Sequence, residues 1–387
     1  MLRAIVLDGM WNKSLAAVRS LGRKGIKVTV GETTRLATAL FSKYCQRRLI
    51  YPCPETYPKQ FLNVIEEELM KTSYQVLLPM ELSTQLLLTS HRERIEKYTS
   101  LPFAPAEIAR KLHDKAFVYK VANHMGIETP ETICVKDLSE LKGVHRRVRF
   151  PVVIKPRNSS GSRGIVYVEQ PELLIENYKM VHRHYPYPLV QERIPSGGDA
   201  IGVCLLLNYH SQTRASFAYK RLREYPVEGG PSTLRMSIKN DKLVKQSSVM
   251  LEELGWIGVA HVEFKVDPRD GIAKLLEVNP RFWGSLQLAI DAGVDFPYLL
   301  FRLATEGDIE PCNEYREGVL SRWLLPGDLL HFLHNPNRFR LKPGFFDFSI
   351  KDDIIIKEDL MPLWGRLLSV FAFLFNKNYR KILKRRV

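Results

Sequence analysis

The residues of this 387-residue chain best suited to chemistry lie between Gly258 and Ser285, in the stretch GVAHVEFKVDPRDGIAKLLEVNPRFWGS. Two alternating apolar runs flank Asp267-Pro268-Arg269-Asp270-Gly271, a Pro/Gly turn signal, so the stretch predicts an antiparallel hairpin. Centring the turn on Arg269 sets Glu263 opposite Leu275 and His261 opposite Glu277. Side chains two apart on a strand share a face. Glu263, Glu277 and Asn279 therefore project from one side, with the two carboxylates as diagonal neighbours. Two carboxylates and an amide oxygen make a hard-oxygen site, and Arg281 adds a fixed positive charge beside it. Magnesium held by one or two carboxylates plus nucleotide phosphates has this profile. Strand carboxylates otherwise belong to a solvated face; three oxygen ligands and an arginine converging favour the metal.

A second chemical element is the run PVVIKPRNSSGSRGIVYVE at 151–169. Asn158-Ser159-Ser160-Gly161-Ser162-Arg163-Gly164 is small and polar, so its backbone amides can approach phosphate oxygens. No Gly-Lys-Ser/Thr ends it, and a strand-like alternation follows, so it is not a P-loop but a movable lid capping a hairpin. Lys155, on the strand before it, offers a point charge for phosphate. A third element is the 219–235 segment, YKRLREYPVEGGPSTLR, read as a loop. Arg221, Arg223 and Arg235 offer bidentate recognition of a substrate carboxylate or phosphate, and Gly229-Gly230-Pro231 allows a tight turn. Glu81 could bind an incoming amine, or serve simply as a helix N-terminal acid.

The elements that must position these residues read as two units and a tail. In the first, strands 2–8 and 26–30 flank a helix from Ser14 to Lys24 that Gly25 ends, a βαβ pattern. A helix at 58–70, a strand at 75–79 and a helix at 82–97 complete a small doubly wound α/β unit, 1–104. Its first turn, Asp8-Gly9-Met10-Trp11-Asn12, is not GxGxxG, so it suits a structural or substrate-lining role better than a dinucleotide. The second unit, 105–310, has a helix at 115–125 capped by Asp114 and strands at 151–155, 165–169, 189–194, 201–208 and 215–220. Helices near 171–184 and at 241–254, the hairpin, a helix at Leu286–Ala292 and a segment at 297–306 close it.

Bulk properties limit the function classes. A hydrophobic fraction of 45% builds real cores. The net charge of +15 suits anionic partners, and the lack of a zinc finger, RNP-like motif or aromatic/basic interleaving argues against nucleic acid. Five scattered cysteines show no CxxC pair or zinc spacing and argue against a disulfide framework, and MLRAIVLDGM lacks the marks of a signal peptide; both point to reducing cytoplasm. In the tail, 311–387, Trp364, Leu367, Leu368, Phe371, Leu374 and Phe375 recur at helical spacing, and Lys377, Arg380, Lys381, Lys384, Arg385 and Arg386 follow. This apolar run is too short to span a bilayer and fits either an interfacial helix with a polybasic end, attached to the inner face of an anionic membrane through 360–387, or a helix packed on its own domain or a dimer partner.

Taken together these marks resemble the ATP-grasp superfamily of carboxylate–amine ligases. The resemblance covers about 1–310 and rests on the helix beginning Asp114-Lys115 with Gly126-Ile127 and Pro130 after it, the VVIKP strand, the SSGSRG lid, the VQERI strand and the HVEF…EVNPR pair. EVNPR looks closest to the carbamoyl-phosphate-synthase-like branch, and EVNPRFWGSLQLAIDAGVDFP to predicted amide ligases that include D-aspartate ligase-like enzymes. The resemblance implies an N-terminal α/β domain, then a two-subdomain ATP-grasp fold (lid about 105–188, C-terminal subdomain about 189–310) with ATP between the subdomains, then a C-terminal helical extension. It implies that Lys115, Lys155 and the lid residues Ser159, Ser160, Gly161, Ser162 and Gly164 hold ATP phosphates. Gln191, Glu192, Arg193 and Ile194 would form the adenine hinge, with Glu192 and main-chain groups meeting the base and Asp199 reaching the ribose. Glu263, Glu277 and Asn279 would carry magnesium, or manganese, and Arg281 would hold the γ-phosphate or acyl phosphate. Alanine–alanine ligase relatives carry arginine two residues before the first metal acid, where this chain has His261, which throws transition-state charge onto Arg281 or a loop arginine. The expected activity is ATP- and magnesium-dependent joining of a small-molecule carboxylate to an amine through an acyl phosphate. The rivals are a carboxylase using bicarbonate and a non-catalytic nucleotide-binding module.

Overall fold

The computed structural model describes residues 1–375 other than Ser160, Ser162 and Glu228. The N-terminal part is a parallel sheet of β1 (Arg3–Val6), β2 (Lys27–Glu32), β3 (Cys45–Ile50) and β4 (Val76–Leu78), in the order β3-β2-β1-β4. Ala4, Ile5, Val6 and Leu7 are wholly buried, which is why β1 reads as an unbroken apolar run. Helix Asn12–Arg23 crosses from β1 to β2, and helix Pro58–Lys71 precedes β4. The sequence reading missed β3: its CQRRLI is an exposed edge strand with two arginines and no apolar alternation.

The next sheet joins β5 (Thr132–Cys134), β6 (Val152–Lys155), β7 (Val166–Val168) and β8 (Leu189–Glu192) in the order β5-β8-β6-β7, every pair antiparallel. β6 and β7 pair from Val152↔Val168, so the serine- and glycine-rich loop caps a hairpin. Helix Leu174–His182 backs this sheet through Leu174, Tyr178 and Val181.

The largest sheet comprises β9 (Ala200–Leu207), β10 (Thr213–Glu224), β11 (Ser232–Ile238), β12 (Gly258–Val266), β13 (Ala273–Asn279), β14 (Leu320–Arg322) and β15 (Lys351–Asp352). Its order is β13-β12-β9-β10-β11-β14-β15. Two expectations change here. Most of the 219–235 segment is not loop: β10 runs to Glu224, β11 begins at Ser232, and Arg221 pairs with Arg235 across them. The β12–β13 register also differs. Glu263 faces Glu277 and His261 faces Asn279, while Phe264 faces Leu275, so Leu276 is an extra residue in a β-bulge. The turn-side pairing is already one residue from expectation, and the bulge adds a second, which together convert a diagonal carboxylate pair into a directly opposed one.

Beyond β15, helix Met361–Phe375 lies against the turn Thr38–Phe41 of the N-terminal part. Buried Arg19 ties the same regions together, bonding to Asp359 at 2.9 Å and to the carbonyls of Asp353 and Ile354.

Candidate active site

The opposed carboxylates define the centre of the site. Asn279 Nδ2 donates to Glu263 Oε1 at 3.1 Å and to Glu277 Oε1 at 2.9 Å, so one amide bridges both acids. Its Oδ1 accepts from Arg281 Nη2 at 3.2 Å, and Arg281 Nη1 donates to the Phe282 carbonyl at 2.8 Å. Asn279 is buried; the two carboxylates are partly exposed, 18% and 19%.

Both expected lysines arrive on the Glu277 side. Lys115 opens the helix Lys115–His124, which Asp114 caps by accepting from Ala116 N. Lys115 Nζ stands 3.1 Å from Glu277 Oε2 and donates to the Ser159 carbonyl at 2.6 Å, linking helix, lid loop and hairpin. Lys155 ends β6, and its buried Nζ contacts Tyr119 Oη at 2.9 Å, Gln191 Oε1 at 3.2 Å and the Leu276 carbonyl at 3.4 Å. Tyr119 Oη donates to the same carbonyl at 2.6 Å, so the bulge hands the Lys155 pocket an acceptor. Burial holds Lys155 down to about 8, against the pull of Glu277 and Glu263. Burial would raise Glu277, but Lys115 and Lys155 reverse this and hold it far below the usual carboxylate range. Glu263 shifts the other way: burial lifts it, and Arg221 only partly offsets that.

On the Glu263 side, Arg221 of β10 forms an ion pair with Glu263, and its Nη1 lies 3.3 Å from Glu224 Oε1. His261 is buried between the rings of Tyr219 (5.8 Å, 13°) and Trp283 (5.9 Å, 29°). Its Nε2 is 3.0 Å from Tyr219 Oη and its Nδ1 is 3.4 Å from Glu263 Oε1. Gly202 lies beneath; a Cβ there would collide with Tyr219 and His261. Burial, Arg221 and Arg281 push His261 well below its ordinary range, so it is a neutral ring that orients Glu263. The cation at this position comes from Arg221 instead.

The N-terminal part adds a residue that sequence reasoning missed. Lys13, in the first turn of helix Asn12–Arg23, is buried with Nζ 2.7 Å from Glu81 Oε1 and 3.2 Å from the Phe282 carbonyl. Burial and Arg281 both lower its pKa, which places its charge close to Arg281. Burial would raise Glu81, but Lys13, Arg281 and Arg163 together hold it low. Glu81 heads helix Leu82–Ser90, and its N–H joins that of Met80 on the Asp8 carboxylate. The available signal was the Asp8–Asn12 turn, read as structural or substrate-lining.

The remaining expected residues divide. Ser159 is half-buried and offers its carbonyl to Lys115, while Gly161 and Gly164 take φ of +67° and +71°, where a Cβ at Gly164 would also strike Pro156 and Tyr185. Ser160 and Ser162 lie outside the described residues, as do Lys377, Arg380, Lys381, Lys384, Arg385 and Arg386. Gln191 is buried, with Nε2 donating to Thr132 Oγ1 at 2.8 Å; Ile194 is buried; Arg193 pairs with Glu169 at 2.6 Å. The carboxylate of Glu192, a residue expected at the base, is held by Lys274 at 2.9 Å, Arg269 at 2.6 Å and the Glu131 N–H at 3.0 Å. Asp199 is exposed, 3.6 Å from Lys220. Arg223 and Arg235 do not reach the site. Arg223 is buried 3.2 Å from Asp328, and Arg235 is buried in a bidentate pair with Asp353. Arg221 and Arg235 are directly opposed, but they pair in opposite directions across the sheet, Arg221 with Glu263 of β12 and Arg235 with Asp353 just after β15, while a register shift separates Arg221 from Arg223.

Among the described residues no three His, Cys, Asp or Glu side chains cluster tightly enough to cage a metal. The donor set is two carboxylates and an amide that presents oxygen when turned over, which fits a hard cation completing its shell with phosphate oxygens and water.

The family model described as "ATP-grasp in the biosynthetic pathway with Ter operon" matches residues 209–324, which span β11, both hairpin carboxylates and Arg281. Among curated proteins the chain is similar to D-aspartate ligase of Enterococcus faecium (strain Aus0004), 25% identical over 213 residues, covering 50% of each chain. It is also similar to D-alanine–D-alanine ligase of Thermoanaerobacter sp. (strain X514), 27% identical over 233 residues, covering 52% of this chain and 62% of that one. The chain thus spans about half to three-fifths of these relatives. Solved structures sharing the fold include the biotin carboxylase domain of Hydrogenobacter thermophilus 2-oxoglutarate carboxylase (TM-score 0.67, 16% identity, 82% of this chain and 73% of that one). L-Amino acid ligase from Bacillus licheniformis is another (TM-score 0.60, 17% identity, 80% and 78%). The three-sheet architecture and these likenesses agree: the chain has the fold of the ATP-grasp structures, and its residues 209–324 match an ATP-grasp family model.

Proposed function

We propose that this protein is an ATP- and magnesium-dependent ligase that joins a small-molecule carboxylate to an amine, with an amino acid as one partner. The observation that carries this reading is convergence: Lys115, Lys155 and Arg281 come onto a carboxylate pair, Glu263 and Glu277, with Lys13 of the N-terminal part beside Arg281. The similarity to D-aspartate and D-alanine–D-alanine ligases supports an amide as the bond formed.

A carboxylate is a poor electrophile because its charge repels an amine. Transfer of the γ-phosphoryl group to it gives an acyl phosphate with a good leaving group, and the amine then displaces phosphate to form the amide. The barrier to the first step is electrostatic, since ATP and the acid are both anions. Lys115 and Lys155 supply charge for the phosphates, with the backbone of Ser159, Gly161 and Gly164 as the lid beside them; Ser160 and Ser162, assigned to the same phosphates by sequence, lie outside the described residues. Gln191, Arg193, Ile194 and the main chain of Glu192 border the base, and Asp199 the ribose. Glu263, Glu277 and Asn279 would hold the magnesium, which supplies charge neutralisation at the phosphates when bound. Arg281 and Lys13 receive the acid, Arg221 steadies Glu263, and Glu81 meets the amine. Closing the lid excludes water, which would otherwise consume the acyl phosphate.

Purified protein with ATP, magnesium and pools of amino acids tests this by ADP release and mass spectrometry. ADP formed only when acid and amine are both present, with a product lighter than their sum by one water, is expected. Turnover that requires bicarbonate and no amine would replace this reading with a carboxylase, and nucleotide binding without turnover across a broad pool would replace it with a binding module.

A further inference from the structure

The C-terminal helix Met361–Phe375 has two unlike faces. One is docked. Arg366 is buried and its Nη2 donates to the Met10 carbonyl at 3.1 Å and to Asn12 Oδ1 at 2.6 Å. Ser369 is buried beside it, and Gly365 sits so close to the Phe41 ring that a Cβ would collide with it. The other face is apolar and open: Met361, Trp364, Leu367, Leu368 and Phe371 are 55%, 59%, 42%, 45% and 62% exposed. At the α-helical pitch these five fall in one arc of about 120°, opposite Gly365, Arg366 and Ser369.

A folded protein rarely leaves five large apolar side chains in one stripe without a use for them. The charge around the stripe identifies the occupant. From Leu360 to Val387 the sequence contains no acidic residue, and Lys377, Arg380, Lys381, Lys384, Arg385 and Arg386 follow the helix. A protein interface core tends to shed charge and a second copy would bring the same cations against these, whereas an anionic bilayer attracts them and accepts the apolar stripe at the boundary between headgroups and acyl chains. Among the described residues no helix is long and apolar enough to cross a membrane. We propose that helix Met361–Phe375 lies in the plane of an anionic lipid surface, its Trp364–Phe371 face inserted and the basic segment after it against the headgroups.

The anchor is fixed to the working part of the molecule. Arg366 holds the Met10–Asn12 turn that leads into Lys13, so the surface would lie beside the N-terminal wall of the site. This last point rests on the ligase reading; membrane binding itself does not.

Co-sedimentation of the full chain with phosphatidylcholine vesicles, with and without phosphatidylglycerol, tests the proposal. We expect partition onto the phosphatidylglycerol-containing vesicles to exceed that onto pure phosphatidylcholine by at least about tenfold and to fall with added salt. Trp364→Glu with Leu368→Glu should abolish it while the fold, read by circular dichroism, is kept; replacing the six C-terminal cations with Gln should remove the lipid selectivity. Equal binding by the double variant, or no binding to either vesicle, overturns the proposal. A dimer in the absence of lipid that the same double variant dissolves would also overturn it, in favour of a second copy on this face. None of these readouts uses ATP or turnover, so ligase failure and anchor failure are separable.

Discussion

Glu263 and Glu277 face each other across β12 and β13, yet their surroundings drive their carboxyls in opposite directions. Lys115 and Lys155 hold Glu277 ionised, whereas burial lifts Glu263 despite Arg221. One acid of the pair is therefore anchored as an anion by the protein, and the other is held as an anion at a cost that a bound cation would relieve.

The two amide substitutions should differ accordingly. Glu277→Gln removes the carboxylate that compensates two buried lysines and should cost about 3 kcal/mol of stability without ligand. Glu263→Gln should cost less, because it removes a carboxylate already pushed towards its neutral form and leaves Arg221 with Glu224. Both should lose magnesium-dependent ATP binding. Urea unfolding and calorimetry check this; Glu263→Gln being the more destabilising of the two would contradict it.

Lys155 ties stability to pH. Its pKa is lowered from 10.5 to about 8, so between these values the unfolded chain holds a proton that the folded chain has released. Stability contributed by this group therefore rises with pH across that window, and below about 8 the full penalty of a buried charge applies. Relative to Lys155→Met, the wild type should gain on the order of 3 kcal/mol between pH 7 and the far end of the window. ATP affinity of the free protein should fall over the same range as the charge is lost. An unchanging difference between wild type and variant in urea midpoints at the two extremes would show that Lys155 is not the group responsible.

Arg221 and Arg235 are cross-strand neighbours with separate duties. Arg235→Ala leaves Asp353 buried without its bidentate partner and should destabilise by about 3–5 kcal/mol, while whatever protein folds keeps wild-type ATP affinity. Arg221→Ala should do the reverse: modest loss of Tm, because Glu263 keeps Asn279, and weakened magnesium·ATP binding. Paired melting and binding curves test the contrast, and a site role for Arg235 would appear as a Kd change at unchanged Tm.

What the sequence made legible follows from how local the governing interactions are. The hairpin, the lysine-ended β6, the capped helix at Lys115 and the parallel start of the chain are written in short-range pattern, and the structure contains all of them. The register was one residue out at the turn and two at Glu263, because the bulge at Leu276 adds a second shift and has no sequence mark; it is stabilised by Tyr119, more than a hundred residues away. Arg223 and Arg235 read as a binding loop because their acids, Asp328 and Asp353, come from the chain beyond 310 and pair with them only after folding. The partners of the Glu192 carboxylate escaped for the same reason, Arg269 and Lys274 lying on the hairpin. β3 escaped because an edge strand need not alternate.

Lys13 was the least legible residue, and it gives the sharpest test of how the N-terminal part enters the chemistry. It is buried, it shares Glu81 and the Phe282 carbonyl, and Arg281 is near enough to lower its pKa. It touches none of the residues proposed to hold ATP phosphates through Lys115 or Lys155. Lys13→Met keeps the stem and removes the charge, so it should raise KM for the acid substrate roughly tenfold or more, the loss expected for one charge-assisted hydrogen bond. Kd for ATP should stay within about twofold, and Tm should fall only modestly, since Glu81 loses its partner but is itself 29% exposed and can turn to water. Glu81→Gln should move KM for the amine instead, leaving that for the acid closer to wild type. Steady-state kinetics on whichever acid–amine pair supports turnover, with ATP binding measured separately, distinguishes these outcomes. Equal losses in ATP affinity and acid KM would mean that Lys13 merely holds the N-terminal part against Phe282 rather than receiving substrate.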